Sequence, residues 1–220
     1  MTVPYRLLWF MVLLGAIGAG ANAIMFMTVD GFGGKPFLER FLASPILGWA
    51  HVGGGALAIV IGPFQLLPGF RRRSPMLHRW LGRLYLVAVF ASALSGLYFA
   101  ASSVAGWVSA WGFALAAIVW MGSGIMAWHA ALRGDVASHR RWMLRNYAVT
   151  FAAATLRFWL PLGLLAGIDF ETTFRIVSWL SWALNLAAVE RWLRRYQRPT
   201  EPQWHEVRPR RHHGGLPRGP

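Results

Sequence analysis

The chain has 220 residues, of which 56% are hydrophobic and only 14% are charged. A soluble domain of this length could not cover so much apolar surface, so the composition excludes a soluble globular protein and indicates membrane helices. The absence of cysteine excludes disulfides and thiol chemistry. The net charge of +14 is carried by arginine clusters between apolar segments, which argues against a nucleic-acid partner.

Six apolar segments are long enough to span a bilayer, since a hydrocarbon core of about 30 Å needs about 20 helical residues. They are residues 7–29, 45–67, 80–101, 107–132, 142–165 and 174–193. Backbone groups in lipid must be hydrogen-bonded within the segment, so each is predicted to be a helix. The first contains the sequence ANA at 21–23, which resembles a signal-peptidase site. Its apolar run continues past that site and favours an uncleaved anchor helix.

Arginine clusters set the expected orientation. They follow spans two, four and six, whereas the alternate loops carry few basic residues beside acidic ones. By the positive-inside rule, both termini are cytoplasmic and the chain is a multi-pass protein of the plasma (inner) membrane. We therefore expect a transmembrane domain over residues 1–196, in contact with membrane lipids. Residues 197–220, rich in Pro, Arg, His and Gly, are expected to form a disordered basic cytoplasmic tail.

The predicted fold class is an all-α polytopic bundle. Two stretches of the sequence resemble each other. The stretch RWLGRLY at 79–85 matches RWMLRNY at 141–147, and a histidine precedes each, His78 and His139. One explanation is that each stretch only serves the membrane interface, where arginine and tryptophan are common. The other is duplication of a helical hairpin, which would make spans two to five a pseudo-symmetric four-helix core. The sequence leaves both explanations open, and we expect spans two to five to form a polar-lined four-helix core.

Two polar residues lie deep in the predicted spans. Arg157 is about 12 Å from the outer end of span five, and His51 is at a similar depth in span two. A charge that faces lipid at that depth costs several kcal/mol, so Arg157 should point into the bundle. No acidic residue is available at its level, which leaves carbonyls, hydroxyls, water or an anionic or carbonyl-bearing ligand. Arg157 also follows His139 by 18 residues, or five turns, which predicts one shared helix face.

These residues belong to motifs that resemble a known family. His51, GPFQLL at 62–67, HRWLGRLYL at 78–86 and HRRWMLRNYAVTFAAATLRFWLPL at 139–162 resemble the domain of unknown function family 2306 over roughly residues 45–165. Members are predicted multi-helix membrane proteins, mostly bacterial. The resemblance implies the polytopic helical fold and no established reaction. It also implies importance for six residues: His51, His78, Arg83, His139, Arg145 and Arg157.

A looser similarity is to transmembrane b-type cytochromes, which hold haem between histidines on alternate helices. It implies one haem b with His78 and His139 as iron ligands and Arg83 and Arg145 near the propionates. Tyr85, on the helix face of His78, is a further candidate binding residue. A quinone-like ligand beside His51 and Arg157 is equally compatible.

We therefore expect a redox-associated membrane protein. The alternatives are a carrier of a small anionic substrate that uses Arg157, or a non-catalytic membrane scaffold or accessory subunit.

Overall fold

The computed structural model describes residues 3–28 and 35–196, which form nine α-helices and no strand. In chain order the helices are α1 (Val3–Thr28), α2 (Lys35–Ala43), α3 (Pro45–Gln65), α4 (Pro68–Arg73), α5 (Pro75–Ala100), α6 (Gly106–Leu132), α7 (Val136–Thr150), α8 (Ala152–Leu165) and α9 (Phe170–Tyr196). The all-α fold class is therefore confirmed. The predicted tail at 197–220 lies outside the described residues.

Every predicted span coincides with a helix or, for span five, with the pair α7 and α8. Five stretches of the described chain are long and apolar enough to cross a membrane: Trp9–Phe26, Pro45–Gln65, Pro75–Ala100, Gly106–Leu132 and Val136–Leu165. The sixth predicted span corresponds to α9, which has 27 residues but carries charged side chains towards both ends. The count of six spans and the cytoplasmic termini therefore stay predictions.

Four helices form the core of the bundle. Helix α3 packs on α5, α5 on α6, α6 on α7, and α7 also contacts α3. Helix α1 lies against α3 and α8, whereas α9 covers α6, α7 and α8. This arrangement confirms the expected four-helix core of spans two to five. We call the end at which α3 finishes and α5 and α7 begin the inner end, and the opposite end the outer end.

A tight turn between α6 and α7 fixes one side of the inner end. Gly134 has φ +72°, and its N–H and that of Asp135 bond the carbonyls of Ala131 (3.1 Å) and Ala130 (3.0 Å). This glycine C-cap ends α6. Asp135 then starts α7, because its Oδ1 accepts the Ser138 N–H at 2.9 Å. The turn therefore places the first residues of α7 directly beside the last turns of α6.

Span five is not one uninterrupted helix, because the helical structure is interrupted at Phe151, between α7 and α8. The carbonyl of Phe151 accepts N–H bonds from both Ala154 (3.0 Å) and Thr155 (3.1 Å), a tighter turn than the α-helix makes. Above the break α8 has no buried residue. His139, below the break, contacts α6, whereas Arg157, above it, contacts α1. The two residues, which the spacing places on one helix face, therefore contact different helices on either side of Phe151.

Candidate functional site

Three helices bring polar side chains together at the inner end. Gln65 is the last residue of α3, and His78 and His139 are each the fourth residue of their helices, α5 and α7. A Cβ built on Gly82, one turn beyond His78, would lie 3.6 Å from Oε1 of Gln65. His139 of α7 and Arg71 of α4 both contribute to the electrostatic environment of His78. We call Gln65, His78 and His139 the inner cluster.

The inner cluster contains buried polar atoms that lack partners. Nε2 of Gln65 and Nδ1 of His78 are buried, and neither has a hydrogen-bond partner among the described residues. Nδ1 of His139 lies 2.9 Å from the carbonyl oxygen of Ala127. Because a carbonyl only accepts, this nitrogen carries the proton, and Nε2 of His139 keeps its lone pair. Unpaired buried polar groups are uncommon in folded proteins and call for an explanation.

The two arginines expected near haem propionates lie on aromatic rings. Cζ of Arg83 is 4.9 Å from the ring centroid of Trp80, and Cζ of Arg145 is 4.8 Å from that of Trp142. Arg145 also forms an ion pair with Glu190 of α9, in which its Nη2 donates to Oε2 at 3.2 Å. Arg83 is exposed. A role at propionates stays a prediction, and for Arg145 it would compete with Glu190.

A closed polar network occupies the centre of the bundle. The Tyr85 hydroxyl is fully buried, 2.7 Å from both Oδ1 of Asn146 and Oγ1 of Thr150. Nδ2 of Asn146 donates to the Trp120 carbonyl at 2.7 Å and to Oγ of Ser123 at 3.0 Å. The indole of Trp120 donates to Thr150 at 2.8 Å. Tyr85 is thus engaged by protein groups, and its predicted part in ligand binding is untested.

At the outer end, His51 lies between α3 and α5. Its Nδ1 is 2.9 Å from the carbonyl oxygen of Ser92, whose hydroxyl in turn donates to the His51 carbonyl at 2.7 Å. Phe41 of α2 stacks on the imidazole at a centroid distance of 6.0 Å, and Phe99 contacts it edge-on at 5.9 Å. Gly96 leaves the space that the ring fills, since a Cβ there would lie 3.1 Å from Cε1. The protein therefore fixes this ring firmly.

Arg157 of α8 also lies towards the outer end, where it contacts α1 rather than the helices around His51. Its Nε donates to Oδ1 of Asn22 in α1 at 2.6 Å, and one Nη donates to the Ala153 carbonyl at 2.7 Å. The side chain is exposed, and no residue of α8 is buried, so the expectation that Arg157 points into the bundle is not confirmed. Its charge contributes to the electrostatic environment of His51. We call His51, Arg157 and Asn22 the outer cluster.

Several of these residues were not predicted from the sequence. Asn22 was interpreted only as part of a peptidase-like site, although an amide within an apolar span was itself a signal of a polar partner. Asn146 and Glu190 gave no comparable signal, because neither motif nor spacing links them to Tyr85 and Arg145. His129, a further histidine near this end, is exposed at the end of α6 and takes no part in the inner cluster.

Comparison with known proteins gives one match. A family model described as "Predicted membrane protein (DUF2306)" matches residues 48–193. No curated protein and no solved structure matches the chain. The matched range contains the inner cluster, His51 and Arg157, and it extends through α9, beyond the 45–165 expected from motifs. Asn22 lies outside it.

Proposed function

The chain belongs to the DUF2306 family of predicted membrane proteins, and we propose that this integral membrane protein holds one b-type haem at its inner end. His78 and His139 would be the iron ligands. The observation that carries the proposal is the pair of imidazoles at equivalent positions of α5 and α7, both of which begin at the inner end. Nδ1 of His139 donates to a carbonyl, so the Nε2 of its neutral ring is free to bind a metal. Haem ligation by two imidazoles requires two such nitrogens on opposite sides of the iron.

The hydrogen bonding of His139 supports a metal ligand. Histidines that bind metals usually donate their other ring N–H to a carbonyl or carboxylate, which fixes the tautomer and the ring orientation. His139 makes such a bond to Ala127, and the glycine-capped turn between α6 and α7 holds the two together. No group of three or more metal-ligating side chains occurs among the described residues. Haem needs only two axial ligands from the protein, so this finding is compatible with the proposal.

The unpaired atoms indicate which groups would meet the cofactor. Nε2 of Gln65 is a donor without an acceptor, and Gly82 presents no side chain one turn from His78. A carboxylate or other oxygen of a bound cofactor would satisfy the Gln65 donor, and the glycine would leave space for a flat macrocycle. Gln65 is therefore a better candidate for this contact than Arg145, which is already paired with Glu190. The bound haem would supply one-electron redox chemistry.

An absorption spectrum tests the proposal. The protein is purified in detergent from cells supplied with a haem precursor, and its Soret band is measured with bound haem per chain. We expect about one haem in the wild type and less than a tenth of that in His78→Ala and in His139→Ala. His129→Ala, a histidine near the same end but outside the cluster, should retain the wild-type band.

Thermal unfolding of each variant separates loss of haem from loss of fold. A colourless wild-type protein that unfolds cooperatively would refute the haem proposal. Retention of the band in both inner-cluster variants would refute the proposed ligands. The quinone-like ligand, the anion carrier and the scaffold remain predictions, as does location in the plasma membrane.

A further inference from the structure

The hydrogen bonds of Arg157 leave most of its donors free. A guanidinium has five N–H donors. Nε and one hydrogen of Nη1 are used by Asn22 and Ala153, and Nη2 has no partner among the described residues. Three N–H groups, including both on Nη2, therefore remain available. The side chain is exposed, so a ligand can reach them.

The charge of Arg157 has no acidic partner among the described residues. Two other arginines do form ion pairs there, Arg145 with Glu190 and Arg175 with Glu171. Within the same part of the chain, Arg157 bonds only to an uncharged amide and a carbonyl. It precedes the end of α8 at Leu165 by eight residues, or about 12 Å of helix. An unpaired charge at that depth is costly unless water or an anion reaches it.

We propose that Arg157 binds an oxyanion, a phosphate or carboxylate group, at the outer end of the bundle. The planar guanidinium matches the geometry of such groups and binds them through parallel N–H bonds. Asn22 holds Nε and thereby orients the two Nη groups. This inference is independent of the haem proposal, because it concerns other residues and the opposite end of the bundle.

His51 narrows the chemistry of the ligand. Its Nδ1 donates to Ser92, so a neutral ring presents an acceptor at Nε2. A ligand that extends from Arg157 to His51 would need a hydroxyl to donate to this nitrogen, as in a monoprotonated phosphate or a hydroxycarboxylate. Phe41 and Phe99 enclose the ring. These rings shield the imidazole, whereas the guanidinium of Arg157 remains exposed.

Binding measurements distinguish the two sources of such a group. In one arm, inorganic phosphate is titrated into detergent-purified protein by calorimetry. In the other, native mass spectrometry measures retained lipid from nanodiscs of phosphatidylglycerol or phosphatidylcholine. We expect Arg157→Gln to weaken the binding of phosphate or of phosphatidylglycerol at least tenfold. Arg175→Gln, which removes an arginine that already has an acidic partner, should bind as the wild type does.

The arm that responds identifies the source. Phosphate binding that depends on Arg157 indicates a soluble anion, and phosphatidylglycerol retention that depends on Arg157 indicates a lipid headgroup. The proposal is overturned if Arg157→Gln equals the wild type in both arms, or if Arg175→Gln loses as much binding as Arg157→Gln.

A second variant guards against misfolding of Arg157→Gln. Asn22→Asp places a carboxylate at the position that already accepts the Nε hydrogen bond, and so supplies an internal counter-ion. We expect its melting temperature without added anion to rise by about 2–4 °C and its anion binding to fall at least tenfold. An Asn22→Asp protein that folds stably and still binds the anion at wild-type affinity would overturn the proposal.

Discussion

The inner and outer clusters both contain histidine within a membrane bundle, but the hydrogen bonds of their polar side chains differ. At the inner end, Gln65 and His78 each have a buried atom with no partner in the part of the chain that the structure describes. At the outer end, His51 is bonded to Ser92, and Arg157 is anchored by Asn22 yet exposed with free donors. The inner cluster thus consists of partly buried side chains with two buried, unpaired atoms, whereas the outer cluster contains an exposed cation.

This difference separates two kinds of ligand. An enclosed site with nitrogen donors suits a resident cofactor, which satisfies the buried atoms and leaves only when the fold opens. An open site with a guanidinium suits an exchangeable anion, because the ligand enters without rearrangement of the helices. The network of Tyr85, Asn146 and Thr150 fills the space between the clusters with protein hydrogen bonds. The two clusters are therefore separate sites.

The largest expected effect comes from breaking that separating network. Asn146→Ala removes the acceptor of Tyr85 and two donors to α6, at a cost of about 2–4 kcal/mol of unfolding free energy. Thermal unfolding in detergent measures it, with Ser95→Ala as the control, since Ser95 bonds only carbonyls of its own helix. Equal stability of the two variants would show that the network does not hold the helices together.

A smaller loss of unfolding free energy is expected when Asn22, which anchors Arg157, is replaced. Asn22→Leu leaves Nε of Arg157 without its acceptor, and hydrogen bonds to charged groups contribute about 1.5–3 kcal/mol. The same unfolding assay compares it with Thr28→Val, which alters α1 at a residue bonded to its own helix. If Asn22→Leu is no less stable than Thr28→Val, Asn22 does not anchor Arg157.

At the inner end, replacement of an amide side chain by an apolar one should stabilise the protein rather than destabilise it. Gln65→Met removes a buried donor that has no partner, so haem-free protein should gain about 1 kcal/mol of stability. Asn185→Leu is the matched control, because its amide donates to Ala148 and Thr155, both at 3.1 Å, and its loss should destabilise. Destabilisation of Gln65→Met to the same extent would remove the distinction between the clusters.

The fold could be predicted to a large extent because lipid imposes strong rules on sequence. Apolar length located every long helix, and helical spacing placed Tyr85, which is buried, on the helix face of His78. The short helices α2 and α4 and the break at Phe151 were not predicted, because they depend on local turns within or beside the apolar segments. On either side of that break, His139 contacts α6 and Arg157 contacts α1.

The sites were predictable only where the sequence repeats or where a charge stands out. The resemblance between residues 79–85 and 141–147 identified His78 and His139, which occupy equivalent positions in their helices. Arg157 was conspicuous as a charge in an apolar span. Its partner Asn22 is 135 residues away in sequence, and that pairing exists only through the packing of α1 on α8. Hydrogen-bond satisfaction, which distinguishes the two clusters, is likewise a property of packing.

Cysteine accessibility tests the central contrast most directly, because the chain has no native cysteine. Arg157→Cys and Gln65→Cys are each treated with a membrane-impermeant maleimide, in intact cells and in inside-out vesicles. The account predicts that Arg157→Cys reacts from the outer face and that Gln65→Cys resists from both faces until the protein is unfolded. Rapid labelling of Gln65→Cys together with an unreactive Arg157→Cys would contradict it.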